Sequence, residues 1–117
     1  SADFNLTTSD LVKEYLTSYS EANNKYLQEE GESKILSVQG KVKNISKNLN
    51  GNMVILLQDD SVLAGVRCTF MPNTNTHVAD IKKGDLVTVK GVIRAGASYD
   101  EDLELYEDVI LEKCDII

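Results

Sequence analysis

The segment ILSVQGKVKNI, residues 35–45, decides the fold because its hydrophobic residues recur at every second position. One face of the extended chain carries Leu36, Val38, Gly40 and Val42. This alternation is typical of a β-strand with one buried face. A glycine inside such a strand indicates a bulge or a sharp bend, as occurs where a strand coils around a small barrel.

Four further strands follow, separated by turns and by one short link. NLNGN and QDDS contain the asparagine, glycine and aspartate residues that are typical of turns. Val78 and Ile81 indicate a short helical link between the third and fourth strands. The predicted strands after the first are residues 53–57, 62–70, 86–93 and 105–117. This order predicts a mainly β protein with the five-stranded barrel of the OB-fold.

The segment before the barrel, residues 7–30, has the spacing of an amphipathic helix. Its stripe consists of Leu11, Tyr15, Tyr19, Ala22 and Tyr26. Thr7 and Asp10 have the spacing of a capping box, and EEGES at 29–33 ends the helix. Tyrosines at helical spacing are more often a packing face than a stacking platform, so we expect all three to pack against the barrel.

Length and composition indicate one ordinary globular domain. The chain has 117 residues, of which 42% are hydrophobic and 26% are charged. We assign the helix and its link to residues 1–33 and the barrel to residues 34–117. No hydrophobic run approaches the roughly 18 residues that a membrane-spanning helix needs.

The net charge of −7 is unevenly distributed along the chain. Residues 1–33 carry −5, residues 34–94 carry +5 and residues 95–117 carry −7. The net charge disfavours nucleic acid as a general partner, because polyanions are repelled. The basic middle block leaves a local anion site open. The alternative is that the three blocks neutralise one another across the fold.

No set of residues in the sequence predicts catalysis or metal binding. The single histidine, His77, lies in the polar link, and no Ser–His–Asp set or glycine-rich phosphate loop is present. Cys68 and Cys114 have no histidine or cysteine close in sequence that would complete a metal site. The acidic segment 100–108 lacks the spacing of a calcium loop. We therefore expect a protein without catalytic residues, metal or cofactor.

The open faces of the predicted strands carry polar residues suited to a ligand. OB-folds that bind single strands use aromatic residues on the second and third strands. Here those strands have no outward aromatic residue, since Phe70 shares the inner side with Cys68. The candidate ligand-binding residues are Lys41, Lys43, Lys47, Asn52, Arg67, Thr69 and Arg94. They either contact a phosphate or sugar, with Lys43 and Arg67 on neighbouring strands, or form ordinary barrel surface.

The second strand, MVILL at residues 53–57, is hydrophobic on both faces. A barrel strand whose outer face is exposed to solvent should alternate hydrophobic and polar residues. Val54 and Leu56 would lie outside if Ile55 lies inside, so something must cover them. The N-terminal helix is the simplest candidate, and a protein partner or a second copy is the alternative.

A series of short motifs, spread over nearly the whole chain, matches one bacterial family. The motifs are SDLVKEY (9–15), Ala22 with Tyr26, VQGKVKNI (38–45), GVRCTF (65–70), IKKGDLVTVKG (81–91) and LEKCDII (111–117). In this order they resemble the tRNA_anti-like OB-fold family, many of whose members are classed as lipoproteins. Residues 28–33 and 99–108 are longer than the family pattern. The resemblance implies the OB-fold and brings no catalytic residues.

The resemblance implies a non-enzymatic binding module of a bacterial envelope lipoprotein, with an unknown ligand or protein partner. The module would lie in the periplasm or at the outer surface and would reach the membrane only through a lipid anchor outside this sequence. Two alternatives stay open. One is single-stranded nucleic-acid binding, which the family name suggests by analogy with anticodon-binding domains. The other is a protein–protein interaction domain.

The two cysteines lie near the ends of strands that the OB-fold places side by side. Cys68 is near the end of the third strand and Cys114 is near the end of the fifth. The residues alone leave open a disulfide or two buried thiols. The resemblance to envelope lipoproteins favours a Cys68–Cys114 disulfide, because oxidising compartments maintain such bonds.

Overall fold

The computed structural model describes residues 2–27 and 33–117, which form a mainly β protein with two short α-helices. The helices are α1 (Thr8–Thr17) and α2 (Tyr19–Tyr26). The strands are β1 (Phe4–Thr7), β2 (Ile35–Lys47), β3 (Met53–Leu57), β4 (Val66–Phe70), β5 (Leu86–Ala95), β6 (Ser98–Asp100), β7 (Leu105–Glu107) and β8 (Val109–Ile116). A 3₁₀ helix at Asn75–Val78 lies between β4 and β5.

Strand β2 closes the barrel because its two halves pair with different neighbours. Residues 35–41 pair antiparallel with β5, and residues 42–47 pair antiparallel with β3. A bulge between Val42 and Asn44 separates the two halves and bends the strand. The bend that Gly40 predicts is therefore present, but it lies two residues further along.

The remaining pairings complete a closed barrel of five strands within the described residues. β3 pairs antiparallel with β4, β4 pairs parallel with β8, and β8 pairs antiparallel with β5. The order around the barrel is β2-β3-β4-β8-β5, and β5 returns to β2. These five strands are the five that the sequence predicts, in the order of the OB-fold.

The inner face of the barrel carries the residues expected from the alternation. Alternation along the predicted strands places Val38, Val42, Val66, Phe70, Val87 and Val89 in the barrel interior, and all of them except Val87 are buried. Val87 is only half-buried and packs against the core from its edge. It lies near the start of β5, opposite Gly40, which has no side chain to cover it.

Strand β1 is an addition to the predicted architecture. It pairs parallel with the first half of β2, with Phe4 opposite Leu36 and Leu6 opposite Val38. Phe4 and Leu6 are half-buried against the core. Two hydrophobic residues in a four-residue strand are too few for alternation to be recognised, because the same spacing occurs by chance before a helix.

The helix predicted over residues 7–30 is two helices that meet at Ser18. Ser18 has an extended backbone, with φ −153° and ψ 98°, which interrupts the helical hydrogen bonding. α2 ends at Tyr26, before the predicted end at residues 29–33, most of which lie outside the described residues. Neither helix of the described part is long and hydrophobic enough to cross a membrane.

The two helices place their tyrosines differently. The Thr7 side chain accepts a hydrogen bond from Asp10 N at 3.2 Å, so the predicted cap of α1 is present. Tyr15 and Tyr26 are buried as predicted. Tyr19 is 44% exposed, so the prediction for Tyr19 is wrong. The break between the helices shifts the phase of the stripe and leaves this residue at the exposed start of α2.

Helix α1 closes one end of the barrel through close contacts with two glycines. Thr8 lies on Gly40 and the Tyr15 ring lies on Gly96, and a Cβ at either glycine would overlap these side chains. Thr8 Oγ1 also donates a hydrogen bond to the Gln39 carbonyl at 3.2 Å. α1 therefore packs into the barrel end rather than along the outer side of β3.

The outer side of β3 carries Val54 and Leu56, as MVILL predicts. Val54 is buried between Ser46 on β2 and Thr69 on β4. Leu56 lies against Gly65, where a Cβ would come within 3.0 Å of Leu56 Cδ1. The loop that leads into β4 thus lies against Leu56, which stays half-buried, and the expected cover by the helix is not formed, because α1 packs on β1, β2 and β6.

The 3₁₀ helix closes the opposite end of the barrel, at the predicted helical link. Thr74 Oγ1 donates to the Cys114 carbonyl at 2.8 Å. Asn75 Oδ1 accepts from Met53 N at 3.0 Å. Val78 is buried against the core. Through these side-chain hydrogen bonds, the 3₁₀ segment holds the end of β8 close to the start of β3.

The predicted acidic loop contains the two-stranded β6–β7 hairpin. Tyr99 pairs with Tyr106, and their ring centroids are 4.7 Å apart. Asp100 Oδ1 accepts two backbone N–H groups within the turn that follows. The fifth strand predicted over residues 105–117 is divided, because β7 pairs with β6 in a separate two-stranded sheet and only β8 pairs within the barrel.

We expect Gly96→Ala to destabilise the protein by about 1–3 kcal/mol, because the added methyl group overlaps the Tyr15 ring in a packed site. Chemical denaturation followed by circular dichroism measures the change. A double-mutant cycle with Tyr15→Ala is the control, since the methyl group should cost much less once the ring is absent. Additive effects of the two substitutions would contradict this contact.

Candidate ligand-binding site

The seven residues predicted to contact a ligand are distributed over separate parts of the barrel. Lys47 and Asn52 lie beside the β2–β3 turn, and Lys41 and Lys43 lie beside the β2 bulge. Arg67 and Thr69 lie on β4, and Arg94 lies on β5, which β8 separates from β4. The fold therefore does not combine them into one site.

Lys43 and Arg67 are not on neighbouring strands, because β3 lies between them. Asn44, next to Lys43, pairs with Leu56, and Leu56 pairs with Arg67. Two strand spacings separate the two backbones by about 10 Å. The expectation that adjacent strands present these two cations to one phosphate is therefore wrong.

A basic loop lies beside the β2 bulge instead. Val42 N donates to the Asp85 carbonyl at 2.8 Å, and Gly84 N donates to the Val42 carbonyl at 2.8 Å. These bonds bring Lys43 next to Lys83, and both side chains are exposed. Two lysines of the basic middle block thus lie in one region, away from Arg67.

Three of the predicted cations are paired with carboxylates at the surface. The pairs are Arg67 with Asp108 (3.2 Å), Arg94 with Glu112 (3.1 Å) and Lys41 with Asp60 (3.6 Å). All three pairs are partly exposed, so each contributes about 0–1 kcal/mol. An incoming phosphate would have to compete with a carboxylate for each of these cations.

Asp108 positions Arg67 and was not found by sequence reasoning. Its Oδ1 accepts from Gly65 N at 2.8 Å, and its Oδ2 accepts from Arg67 Nη2 at 3.2 Å. The Asp108 side chain is less exposed than that of Arg67, so the carboxylate holds the guanidinium in place. The signal in the sequence is an acid directly before the hydrophobic run VIL of the last strand.

A groove of about 380 Å³ lies over the outer faces of β4, β8 and β5. Arg67 is opposite Ile110, and Ile110 is opposite Ala95, so these three residues form the floor. The other lining residues are Tyr19, Gly96, Tyr106, Glu107 and Asp108. The volume is in the range of small-ligand sites, roughly 300–1,000 Å³.

Two exposed tyrosines line this groove. Tyr19 comes from the start of α2, and Tyr106, which is 38% exposed, comes from β7. Each ring packs against a second tyrosine ring. The ring centroids of Tyr15 and Tyr19 are 5.4 Å apart, and those of Tyr99 and Tyr106 are 4.7 Å apart. The sequence analysis misses both residues, because it assigns Tyr19 to the packing face of the helix and Tyr106 to the fifth barrel strand, whereas the structure places Tyr106 in the separate β6–β7 hairpin.

Cys68 and Cys114 are buried free thiols, so the predicted disulfide is not formed. Their strands are neighbours as expected, but the register places Cys114 opposite Phe70 and Cys68 opposite Leu111. A hydrogen bond with Cys114, together with burial, raises the pKa of the Cys68 thiol well above its ordinary value. The reactive thiolate form is therefore disfavoured.

His77 has a structural partner. Its Nδ1 lies 2.6 Å from Asp115 Oδ1, which ties the 3₁₀ helix to β8. The hydrogen bond from His77 lowers the pKa of the Asp115 carboxyl below its usual value. Residues 2–27 and 33–117 contain no group of three or more side chains placed to hold a metal ion.

Comparisons with known proteins agree with the barrel. The tRNA_anti-like family model matches residues 1–104, which confirms the resemblance seen in the motifs. No curated protein matches the chain. One matching crystal structure is described as a "putative nucleic acid-binding lipoprotein" from Klebsiella pneumoniae subsp. pneumoniae MGH 78578. It has 13% sequence identity and a TM-score of 0.69, over 96% of this chain and 90% of that one, which shows a shared fold.

We expect two free thiols per chain when protein purified without reductant is unfolded and titrated with a thiol reagent. In the folded protein the reaction should be much slower, because both sulfur atoms are buried and the pKa of Cys68 is raised. Cys114→Ala, as the control, should leave one thiol. A count of zero without reductant and two with it would establish the disulfide that the structure lacks.

We expect the Asp115–His77 pair to stabilise the fold above about pH 4 and to lose this effect in acid. The pKa of Asp115 is lower in the folded than in the unfolded chain, so its contribution is present above the unfolded pKa and disappears as pH falls through the folded one. Because both side chains are partly exposed, Asp115→Asn should lower the unfolding free energy by at most about 1 kcal/mol at pH 5, and by almost nothing at about pH 2.

Denaturant melts of both proteins across this pH range measure the difference. Asp102→Asn removes the same charge from the exposed hairpin turn and is the matched control. An Asp115→Asn effect that persists unchanged in acid would show that the carboxylate charge is not its cause.

Proposed function

The chain belongs to the tRNA_anti-like family, and from this premise we propose that it is a non-enzymatic binding module of a bacterial envelope lipoprotein. The observation that carries the proposal is the groove over β4, β8 and β5. The exposed rings of Tyr19 and Tyr106 lie beside the Arg67–Asp108 ion pair and are not part of the hydrophobic core. Such an arrangement is suited to contact with a ligand.

The chemistry of the groove supports binding rather than catalysis. Its ionisable lining groups are Arg67, Glu107, Asp108 and the two tyrosines. Nucleophilic catalysis needs a nucleophile within hydrogen-bond reach of a base, and the lining contains no serine, cysteine or histidine. Both oxygens of Asp108 already accept hydrogen bonds, so this carboxylate acts as a support.

The envelope location is supported by the structural neighbour, which is described as a lipoprotein. The free thiols do not add to this support. Expression of the full-length gene product in its bacterial host, with a labelled fatty acid and fractionation of the cells, tests it. Label on the protein and recovery with membranes are the expected results. An unlabelled protein in the cytosolic fraction would overturn the assignment.

Single-stranded nucleic acid is a second candidate ligand. The neighbour's description names nucleic-acid binding, and the exposed pair of Lys43 and Lys83 is a local positive patch. Against it stand the net charge of −7 and the carboxylate partners of Arg67 and Arg94. Phosphate contacts supply most of the affinity of non-specific binding, so these features weaken it.

We expect labelled oligo(dT) to bind with a Kd weaker than about 10 µM at physiological salt and more tightly at low salt. Fluorescence anisotropy at both salt concentrations measures this. Lys43→Gln should reduce the low-salt affinity, whereas Lys13→Gln on the exposed side of α1 is the matched control and should change it less. Submicromolar affinity at physiological salt would make nucleic acid the leading candidate.

A further inference from the structure

The β6–β7 hairpin has an outer edge that no strand covers in the described part of the chain. β5 pairs with β8 as far as Ala95 and Ile110, and β6 then pairs with β7, so the hairpin continues the β5–β8 ribbon. β4 lies on the other side of β8, but only from the pair Val66 and Val109 onward. The side of β7 that faces away from β6 therefore has no neighbouring strand among the described residues.

An open edge of this kind can accept a further strand. In an antiparallel pair, alternate residues direct both their N–H and their C=O groups away from the partner strand. All three residues of β7, Leu105–Glu107, are exposed, and the described part of the chain supplies no backbone partner for its outward groups. An extended peptide that joins a sheet edge satisfies such groups and gains affinity from the main-chain hydrogen bonds.

The hairpin also concentrates exposed hydrophobic side chains. Leu103 is 66% exposed and Leu105 is 58% exposed, and the rings of Tyr99 and Tyr106 are exposed as well. Four large hydrophobic residues so close in one hairpin form a patch, whereas exposed hydrophobic residues on an ordinary surface are scattered singly. Exposed aromatic and aliphatic side chains with a polar rim are typical of protein interaction sites.

Four exposed carboxylates form the rim of this patch. They belong to Glu101, Asp102, Glu104 and Glu107, and none of them forms an ion pair within residues 2–27 and 33–117. A positively charged partner would be attracted, whereas nucleic acid or an anionic lipid surface would be repelled. The same charges disfavour a second copy of this chain, because pairing of β7 with its own copy would bring two acidic hairpins together.

We propose that β7 is a docking edge for an extended segment of a protein partner in which basic and hydrophobic side chains alternate. Glu107 and Tyr106 point to opposite faces of the hairpin, so basic side chains of the added strand would meet Glu107 and hydrophobic ones would meet Tyr106. Both residues also line the groove over β4, β8 and β5. The inference rests on the proposed binding-module function and names the class of its partner.

Two octapeptides of equal charge, one alternating lysine with valine and the other alternating lysine with proline, test the proposal. Proline keeps the charge of the peptide but removes the N–H groups that a strand donates. In NMR titrations of the ¹⁵N-labelled protein up to about 1 mM peptide, we expect the lysine–valine peptide to give saturable shifts of the Leu105–Glu107 amides. Hydrogen exchange of the outward amides should slow. The lysine–proline peptide should bind at least about tenfold more weakly.

A charge swap locates the binding at the hairpin. Glu107→Lys should weaken binding of the lysine–valine peptide about fivefold, and it should make binding of a glutamate–valine octapeptide detectable, because the strand edge remains while its charge is reversed. This gain of binding cannot arise from loss of the hairpin. Asp80→Lys makes the same change in the exposed link between β4 and β5 and is the matched control, with an expected effect below about twofold.

The outcomes separate this inference from the proposed function. Equal affinity for the lysine–valine and lysine–proline peptides would reduce the contact to charge attraction and would overturn strand addition. Oligo(dT) shifts at Leu105–Glu107, or a protein dimer with β7 in its interface, would assign this edge to another partner and would also overturn the proposal. Binding of none of the peptides would overturn it too, while the lipid-labelling result would still decide the envelope location.

Discussion

The barrel depends on one strand that pairs with two neighbours in succession. β2 leaves β5 and joins β3 at the bulge between Val42 and Asn44, and this change of partner turns a sheet into a closed wall. The same strand carries Gly40, where α1 enters the barrel end. The position of the helices, and with them Tyr19 in the groove, therefore follows from the course of β2.

Four of the five barrel strands could be predicted because each shows alternation, and β3 could be predicted because MVILL is a short hydrophobic run between two turns. The features that sequence reasoning missed have physical reasons. β1 is too short for a period, and Ser18 breaks the helix through its backbone without any glycine or proline to mark it. The cysteines lie on adjacent strands as expected, but the opposing partner of each is set by a register shift between Cys68 and Phe70.

The candidate site was less predictable, because it combines elements that are distant in sequence. Outward positions on the strands could be listed, and Arg67 does line the groove. Its partner Asp108 follows the hairpin, and the two tyrosines belong to α2 and β7. Strand alternation does not predict how α2 and the β6–β7 hairpin lie over the barrel. It also does not predict which outward residues come together, and the other six predicted residues do not line this groove.

The last of the five barrel strands, β8, lies between β4 and β5, which precede it in the chain. The wall can therefore close only after the chain has been made as far as β8. Until then β4 and β5 each have an open edge that another chain can pair with. Contacts so distant in sequence also make folding slow, in the range of milliseconds to seconds. A chain that ends before residue 109 would thus be prone to aggregate even though four barrel strands are present.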